Sequence, residues 1–322
     1  MTGSALLIAS LLTAGAMIPA DAAGNGKPEI TSADASEIQQ AARQQKSKKA
    51  KDVEDAFILE QSRQGNAVDA ASLSTAEVDG AVVVWEDGVD VTALQTATTE
   101  AESGPTVEMA VESAPADLAP ASKVSGNGLG VEAMTGRSGG SWNGGYCTTT
   151  VVSSQTLTQC FERLEIVNDG TSTRQTYFYN RWATATGQAV DWSTDWKPRK
   201  IDIQSRPWAG KRGDFATLLN YWPKSGQNTC STNSFSVGVG NFSATVPVWN
   251  CEGITPEPNA TNIKMGVIWS GGAVFDQRSE GADFAMAMTT FNKPAPMGDY
   301  GYAKFCKNTD ANCEGVLRKD GW

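Results

Sequence analysis

Residues 235–248 read FSVGVGNFSATVPV, and this stretch carries the clearest fold signal in the chain. Apolar side chains occupy odd positions before Gly240-Asn241, at Phe235, Val237 and Val239, and even positions after it. A tight turn between two strands produces this switch when one face of a hairpin stays buried. We therefore predict a β-hairpin that turns at Gly240-Asn241.

Similar segments lie on both sides of this hairpin. Residues 164–167 (Leu-Glu-Ile-Val) and 177–179 (Tyr-Phe-Tyr) are mostly apolar and flank a polar loop near 168–172, which predicts a second hairpin. Period-two alternation recurs at Ile263, Met265, Val267 and Trp269, and again at Phe284, Met286 and Met288. The one helix that we predict in this half is a short one over 214–220. The recurrence predicts an all-β fold across residues 135–322, an antiparallel β-sandwich or jelly-roll-like domain.

The six cysteines all lie in this region and are even in number, which predicts three disulfides in an oxidising compartment. Sequence spacing favours the pairs Cys147–Cys160, Cys230–Cys251 and Cys306–Cys313, although six thiols allow about 15 pairings in all. A metal site is the weaker alternative, because the chain has no CxxC pair and no histidine. We predict no metal and no cofactor.

The first 22 residues are typical of a secretion signal. An apolar run over 5–18 ends at Ala20-Asp21-Ala22, which matches a small-x-small cleavage site. No Lys or Arg precedes the run, which departs from the usual signal. A membrane-spanning helix needs about 20 apolar residues, and this run is shorter than that. We expect a secreted protein, extracellular or associated with the cell surface, with no membrane span in its mature form.

Residues 23–134 differ from the rest in composition. The net charge is −10 over 23–130 and +2 over 133–322, and nine of the ten tryptophans lie from Trp142 onward. We interpret 23–134 as an acidic arm with a helix over 36–64 and a hairpin over 80–94, turning at Asp87-Gly88. Residues 95–140 are rich in small and polar residues, which predicts a flexible linker. The arm is thus expected to be largely disordered, serving as a solubilising spacer or a removed pro-segment.

The absence of histidine excludes several classes of enzyme. Catalysis by Ser-His-Asp or Cys-His groups, histidine-ligated metals and imidazole acid–base chemistry are all ruled out. The phosphate-binding loop GxxxxGK[ST] and the dinucleotide motif GxGxxG are also absent. Carboxylate chemistry remains open. The candidates for such a pair are Glu162, Glu165, Asp191, Asp195, Asp202 and Asp214. Surface and turn positions explain the same residues without catalysis.

Residues 191–212 form the most distinctive local stretch. Three tryptophans are interspersed among six basic residues. The candidate binding residues are Trp192, Trp196, Lys197, Arg199, Lys200, Arg206, Trp208, Lys211 and Arg212. Indole rings stack on sugars or bases, and the cations pair with anionic groups. The alternative is that the tryptophans fill the core.

The leading hypothesis is a secreted, non-catalytic binding or surface module. Its expected ligand is an anionic polysaccharide of the cell wall or extracellular space, or another polyanion. One rival is a secreted glycosidase-like hydrolase that uses two carboxylates. A second rival is a subunit of an extracellular assembly or toxin complex. No protein partner is predicted.

Overall fold

The computed structural model describes residues 28–63, 68–100, 104–115, 140–166, 173–187, 195–226, 231–239, 242–250, 253–271, 279–291 and 295–307. Antiparallel strands dominate these residues and form two sheets of seven strands each. A single buried apolar cluster draws side chains from both sheets, including Ile203 and Phe305 from one and Phe161 and Met286 from the other. The predicted all-β sandwich is therefore confirmed.

Sixteen strands and two α-helices follow one another among the described residues. In chain order they are β1 (Glu29–Asp34), α1 (Ala35–Ala42), α2 (Lys48–Arg63), β2 (Leu73–Val78), β3 (Ala81–Glu86), β4 (Val89–Thr99), β5 (Thr106–Pro115), β6 (Gly140–Val152), β7 (Gln155–Ile166), β8 (Gln175–Thr186), β9 (Lys197–Pro207), β10 (Phe215–Trp222), β11 (Ser231–Val239), β12 (Phe242–Asn250), β13 (Ile254–Pro256), β14 (Met265–Ser270), β15 (Ser279–Thr290) and β16 (Met297–Cys306). Short 3-10 turns occupy Ala70–Ser72 and Arg212–Asp214.

Each large sheet combines strands from both halves of the chain. The first sheet has the order β1-β4-β5-β16-β9-β14-β13, and the second has the order β10-β15-β8-β7-β6-β3-β2. Strand β5 pairs with β16 from Ser113 opposite Met297 to Thr106 opposite Lys304. Strand β3 pairs with β6 in the same way, with Trp85 opposite Tyr146. The topology does not separate an arm from a domain at residue 135.

The structure differs from the predicted linker over 95–140. Residues up to Thr99 continue β4, and 106–115 form β5 near the middle of the first sheet. Val107, Met109 and Val111 alternate with Thr106 and Glu108 along β5, and all three apolar side chains are buried. Average composition conceals this period-two pattern, because alanine, threonine and glutamate dominate the surrounding sequence. The rest of the predicted linker, 116–139, lies outside the described residues.

The predicted helix over 36–64 is present as two helices. Helix α1 starts at a capping box, in which the Asp34 side chain accepts from the Glu37 amide and the Glu37 side chain accepts from the Asp34 amide. Helix α2 follows after a break at 43–47 and packs on the outer face of the second sheet. Ala50 and Phe57 of α2 contact a patch that contains Val82, Val84 and a disulfide.

The hairpin predicted at Asp87-Gly88 is wrong in its pairing. Strands β3 and β4 do flank these two residues, but they belong to different sheets, so this turn carries the chain across the sandwich. The hairpin lies one strand earlier, where Val78 pairs with Ala81 across Asp79-Gly80. Both turn residues have positive φ angles, of 43° and 83°, as a type I′ turn requires. Asp-Gly occurs at both places, and only the pairing of β3 with β2 distinguishes them.

The other local predictions have mixed outcomes. The hairpin at Gly240-Asn241 is confirmed by the pairing of β11 with β12, in which Val239 lies opposite Phe242. The hairpin of β7 with β8 is also confirmed. The helix predicted over 214–220 is wrong, because β10 occupies this segment and pairs with β15. Pairing with a neighbouring strand overrides the weak local helical pattern.

One predicted disulfide is present among the described residues. Cys147 and Cys160 lie directly opposite each other on β6 and β7, with a Cα–Cα distance of 4.1 Å, and their sulfurs are bonded. Cys306 is disulfide-bonded as well. Cys230, Cys251 and Cys313 lie outside the described residues, so the other two pairings stay predictions.

Candidate functional site

The predicted binding stretch spans β9 and the turn that follows it, and strand alternation divides it between two faces. Ile201 and Ile203 belong to the core, so Lys200, Asp202, Gln204 and Arg206 point to the outer face of the first sheet. Trp192 and the carboxylate candidate Asp191 lie outside the described residues. Of the remaining predicted residues, Trp196, Lys197 and Lys200 come together at one end of the first sheet, and the others do not join them.

Four lysines gather where β9 begins and β16 ends. Lys200 lies directly opposite Lys304, and Lys197 lies opposite Cys306 across a register shift in β9. Paired residues share a face, and Lys304 and Cys306 are two residues apart, so Lys197, Lys200 and Lys304 all lie on the outer face of the sheet, where their side chains are nevertheless buried. We call these three lysines, together with Lys307, the cationic end of the first sheet.

Two aromatic rings accompany the cationic end. The Lys307 ammonium lies 4.7 Å from the centroid of the Trp196 ring, and the Lys200 ammonium lies 5.9 Å from the centroid of the Tyr302 ring. Both distances are in the range of cation–π contacts. Trp196 is half-buried and also packs against the core. The local sequence pattern indicated Trp196, Lys197 and Lys200, but it carried no signal for Lys304, Lys307 and Tyr302.

An acidic patch lies beside the cationic end on the same outer face. The patch consists of Glu108, Asp202 and Glu257, linked by Gln204 and the tyrosines of β16. The Gln204 side-chain amide donates to Glu257 Oε2 at 2.9 Å and to Asp202 Oδ1 at 3.3 Å. The Tyr300 hydroxyl donates to Glu108 Oε2 at 3.3 Å. Burial raises the pKa of Tyr302 well above its usual value, and the charges of Glu108 and Asp202 raise it further.

Arg206 belongs to this face but has an acidic neighbour. Both Arg206 and Glu112 lie opposite Gly298, one on each side of β16, so no side chain separates them along that row. Burial raises the pKa of the Glu112 carboxyl, and the positive charge of Arg206 partly offsets that increase. Arg206 therefore compensates a half-buried acid rather than extending the cationic end.

The other predicted residues serve local structure or stand apart. Arg199 sits at the register shift and donates from Nη1 to the carbonyl of Gly271. Trp208 donates its indole N–H to the Met297 carbonyl at 2.6 Å. Arg212 donates to the carbonyls of Thr261 and Phe215, both at 2.7 Å. Lys211 is exposed in the turn after β9, at the opposite end of that strand from Lys197.

The structure separates the predicted carboxylates. Glu162 and Glu165 lie on opposite faces of β7, since their positions differ by an odd number. Asp202 is in the first sheet, and Asp214 ends the 3-10 turn before β10. The carboxylate that shares a donor with Asp202 is Glu257, which sequence analysis did not select. No local sequence pattern could link the two carboxylates, because Glu257 follows β13 and lies 55 positions along the chain from Asp202.

The described residues contain no group of three His, Cys, Asp or Glu side chains that is arranged to hold a metal ion. Within the same residues, no helix is long and apolar enough to span a membrane.

Comparison with known proteins adds no further assignment. No protein-family model matches the chain, and no curated protein matches it either. The candidate site therefore depends on its own geometry.

Proposed function

We propose that this protein is an exported module that binds an anionic polymer, with an acidic polysaccharide as its ligand, at the cationic end of the first sheet. The observation that carries the proposal is the half-buried Lys307 ammonium, which lies 4.7 Å from the ring of the half-buried Trp196, with the buried Lys197, Lys200 and Lys304 behind it. A concentration of one sign of charge attracts and orients oppositely charged ligands.

The aromatic neighbours support a sugar polymer in particular. Trp196 lies against Lys307 and Tyr302 lies against Lys200, so a half-buried aromatic ring lies beside each cation. Aromatic faces contact the apolar faces of sugar rings, while lysines pair with carboxylate or sulfate substituents. The half-buried carboxylates of the acidic patch, Glu108 and Glu257, lie next to these rings and offer acceptors for sugar hydroxyls.

Export belongs to the same proposal. The predicted signal over 1–22 supports it, and so does the disulfide between Cys147 and Cys160, because disulfides persist in oxidising compartments. N-terminal sequencing of protein recovered from the culture medium or cell envelope, with mass spectrometry of alkylated thiols, tests this part. Recovery of the intact 1–22 segment together with free thiols at Cys147 and Cys160 would contradict it.

The binding experiment compares two lysines of equal charge. Purified protein is titrated with polygalacturonate and heparin, with neutral dextran as the reference polymer. We expect binding to the two anionic polymers that weakens as salt is raised. Lys307→Gln should lower the affinity about fivefold, in line with the loss of one partly exposed cation–π and ion-pairing group. Lys211→Gln, at the far end of β9, should leave the affinity unchanged.

Two results would overturn the proposal. The first is equal binding of dextran and the anionic polymers, or no binding of either. The second is an unchanged affinity in both Lys307→Gln and the double variant of Lys200→Gln with Lys304→Gln. Circular dichroism of each variant separates loss of binding from loss of fold.

A second candidate function arises from the acidic patch. One Gln204 nitrogen contacts both Asp202 and Glu257, so these two carboxylates lie close together on the outer face, with Asp202 buried and Glu257 half-buried. Glycosidases use paired carboxyl groups about 5–10 Å apart, one protonating the leaving oxygen and one acting as nucleophile or base. Release of reducing ends from the bound polymer, lost in both Asp202→Asn and Glu257→Gln, would support hydrolysis. Binding without release would leave the non-catalytic module.

A further inference from the structure

Helix α2 packs on an apolar patch that is separate from the interior of the sandwich. Ala50 and Phe57 of the helix are buried in this patch, on the outer face of the second sheet. The other buried members of the patch are Leu73, Val82, Val84, Cys147 and Cys160. Ile38 of α1, in contrast, lies in the main core, to which no described side chain of α2 contributes. Detachment of α2 therefore leaves the main core closed.

The Cys147–Cys160 disulfide lies across the middle of the patch. Cys147 is opposite Val84 on β3, and Cys160 is opposite Trp182 on β8. The two cysteines are only 2% and 3% exposed, whereas Trp182 is half-buried and packs against the patch. Helix α2 contacts β2 and β3, on the far side of the disulfide from Trp182. The two sulfurs are thus enclosed by a helix on one side and an indole ring on the other.

Polar contacts at the first half of α2 attach the helix to the hairpin of β2 and β3. Lys49 Nζ donates to the Gly80 carbonyl at 2.5 Å, in an exposed contact. Glu54 is half-buried and accepts from the Thr75 hydroxyl and from Lys46 Nζ. Exposed and partly exposed contacts of this kind contribute little to stability, about 0–1 kcal/mol for an ion pair. An element held in this way opens before the whole protein unfolds.

We propose that α2 gates the reduction of the Cys147–Cys160 disulfide. While the helix is docked, the sulfurs are closed to reductants. When the helix detaches, an external dithiol reaches them, and access is one of the factors that set the rate of thiol–disulfide exchange. The site lies on the second sheet, away from the cationic end, and does not depend on the proposed binding of a polymer.

The reaction is a two-electron exchange between the dithiol and the protein. A thiolate of the dithiol attacks one sulfur, the S–S bond breaks, and the departing cysteine takes up a proton. The second thiol of the dithiol loses its proton, attacks the mixed disulfide and releases the other cysteine, which is protonated in turn. The dithiol is oxidised to a disulfide, and Cys147 and Cys160 are reduced to thiols.

Reduction weakens the docking of α2 in return. Two bonded sulfurs lie closer together than two unbonded thiols can, so the reduced pair needs more room beneath the helix. Extra volume in a filled apolar cluster is destabilising. The state of the disulfide and the position of α2 are therefore coupled in both directions.

The rate of reduction tests the gate. The oxidised full-length protein is treated with dithiothreitol at constant pH, samples are alkylated at intervals, and peptide mass spectrometry follows Cys147 and Cys160. Glu54→Gln removes the charge that Lys46 pairs with and leaves the apolar patch unchanged. We expect about a fivefold faster reduction in this variant, in line with the loss of one partly buried ion pair. Asp55→Asn, at an exposed position of the same helix, should be reduced at the unmodified rate.

Asp299→Asn separates opening of α2 from unfolding of the whole protein. Asp299 is buried between the sheets, where it pairs with Arg181, so its replacement lowers overall stability without touching α2. We expect the disulfide in Asp299→Asn to be reduced at close to the unmodified rate. An acceleration as large as that of Glu54→Gln, or no acceleration in Glu54→Gln, would overturn the proposal.

Urea covers the case in which Asp299→Asn does not fold. Detaching one helix exposes less surface than unfolding, and sensitivity to urea scales with the surface exposed. In the unmodified protein, the logarithm of the reduction rate should therefore rise with urea much less steeply than the unfolding equilibrium does. Equal steepness would refute the gate. Hydrogen exchange of the α2 amides should be faster in the reduced than in the oxidised protein, and equal exchange would refute the coupling.

Discussion

At the residue scale, the interior of this sandwich depends on a few buried charges as well as on apolar packing. Asp299 lies on β16 in the first sheet. It forms an ion pair with Arg181 and accepts a hydrogen bond from the Tyr146 hydroxyl at 2.5 Å. Both partners belong to the second sheet, so Asp299 connects the two sheets. None of these residues was selected from sequence, where an isolated aspartate or arginine resembles any surface charge. Buried pairs of this kind position elements relative to one another, and losing one member exposes the other to an apolar interior.

Asp299→Asn should therefore destabilise the fold by about 3–5 kcal/mol, since Arg181 would remain buried without a counter-charge. Tyr146→Phe removes a single hydrogen bond and should lower the free energy of unfolding by about 1–2 kcal/mol. Urea denaturation followed by tryptophan fluorescence measures both. Equal losses in the two variants would show that the charge of Asp299 has no special role.

Glu54 provides a pH-dependent contact between α2 and the second sheet. Burial acts to raise its pKa, but hydrogen bonds from Lys46 and Thr75 and the charge of Lys46 outweigh burial, and the pKa is lowered overall. A carboxylate with a lowered folded-state pKa stabilises the protein above its unfolded pKa, about 4.3, and loses that contribution as the pH falls through the folded value.

We predict that Glu54→Gln lowers the free energy of unfolding near neutral pH and makes it less sensitive to acid below about pH 4.3. The control is Asp55→Asn, an exposed position on the same helix. Urea denaturation at several pH values in this range shows how steeply the free energy of unfolding falls as the pH is lowered. If it falls as steeply in Glu54→Gln as in the unmodified protein, Glu54 does not form an acid-sensitive contact.

At the scale of elements, turn chemistry and strand pairing together decide which segments become hairpins. The Asp79-Gly80 turn joins β2 and β3 within one sheet, whereas Asp87-Gly88 lies between strands of different sheets. The same dipeptide therefore has two outcomes. Local sequence predicts that the chain turns, but the partner strands determine whether the turn closes a hairpin.

Gly80→Ala tests the backbone requirement of the true hairpin. The φ angle of Gly80 is +83°, and an added Cβ would meet no atom within 4 Å, so only the backbone conformation opposes the change. We expect a loss of about 1–2 kcal/mol, the range for an L-residue held in the left-handed region. Gly213→Ala also places its Cβ in open space, without a positive φ, and should be near neutral. Thermal unfolding compares the stability of the two variants. Equal losses would contradict the left-handed backbone conformation that we assign to Gly80 in the hairpin turn.

At the scale of the whole molecule, the two halves of the chain form shared sheets. Strands β5 and β16, separated by more than 180 positions, pair over eight residues, and β3 pairs with β6 across the undescribed stretch. A fragment that begins near residue 135 therefore exposes the β5-facing edge of β16 and the β3-facing edge of β6. It also uncovers the Cys147–Cys160 region beneath α2. Exposed edges of this kind promote aggregation.

We predict that residues 135–322 expressed alone do not unfold cooperatively and tend to aggregate. Supplying residues 28–115 as a separate chain should restore part of the cooperative transition. Differential scanning calorimetry and size-exclusion chromatography compare the fragment, the mixture and the full protein. A monomeric fragment that melts with the same sharpness as the full protein would show that the C-terminal half is a domain of its own.

Much of this architecture was predictable from local sequence. Period-two patterns located β11, β12, β14 and β15, Asp-Gly and Gly-Asn marked turns, and cysteine spacing indicated the Cys147–Cys160 bond, because each signal arises from residues close together in the chain. Tertiary structure alone decided that Lys304 faces Lys200, that Glu257 shares a donor with Asp202, and that residues 95–99 and 106–115 join the first sheet. Those outcomes depend on contacts between residues tens to nearly two hundred positions apart, and no local pattern specifies which distant strands pair.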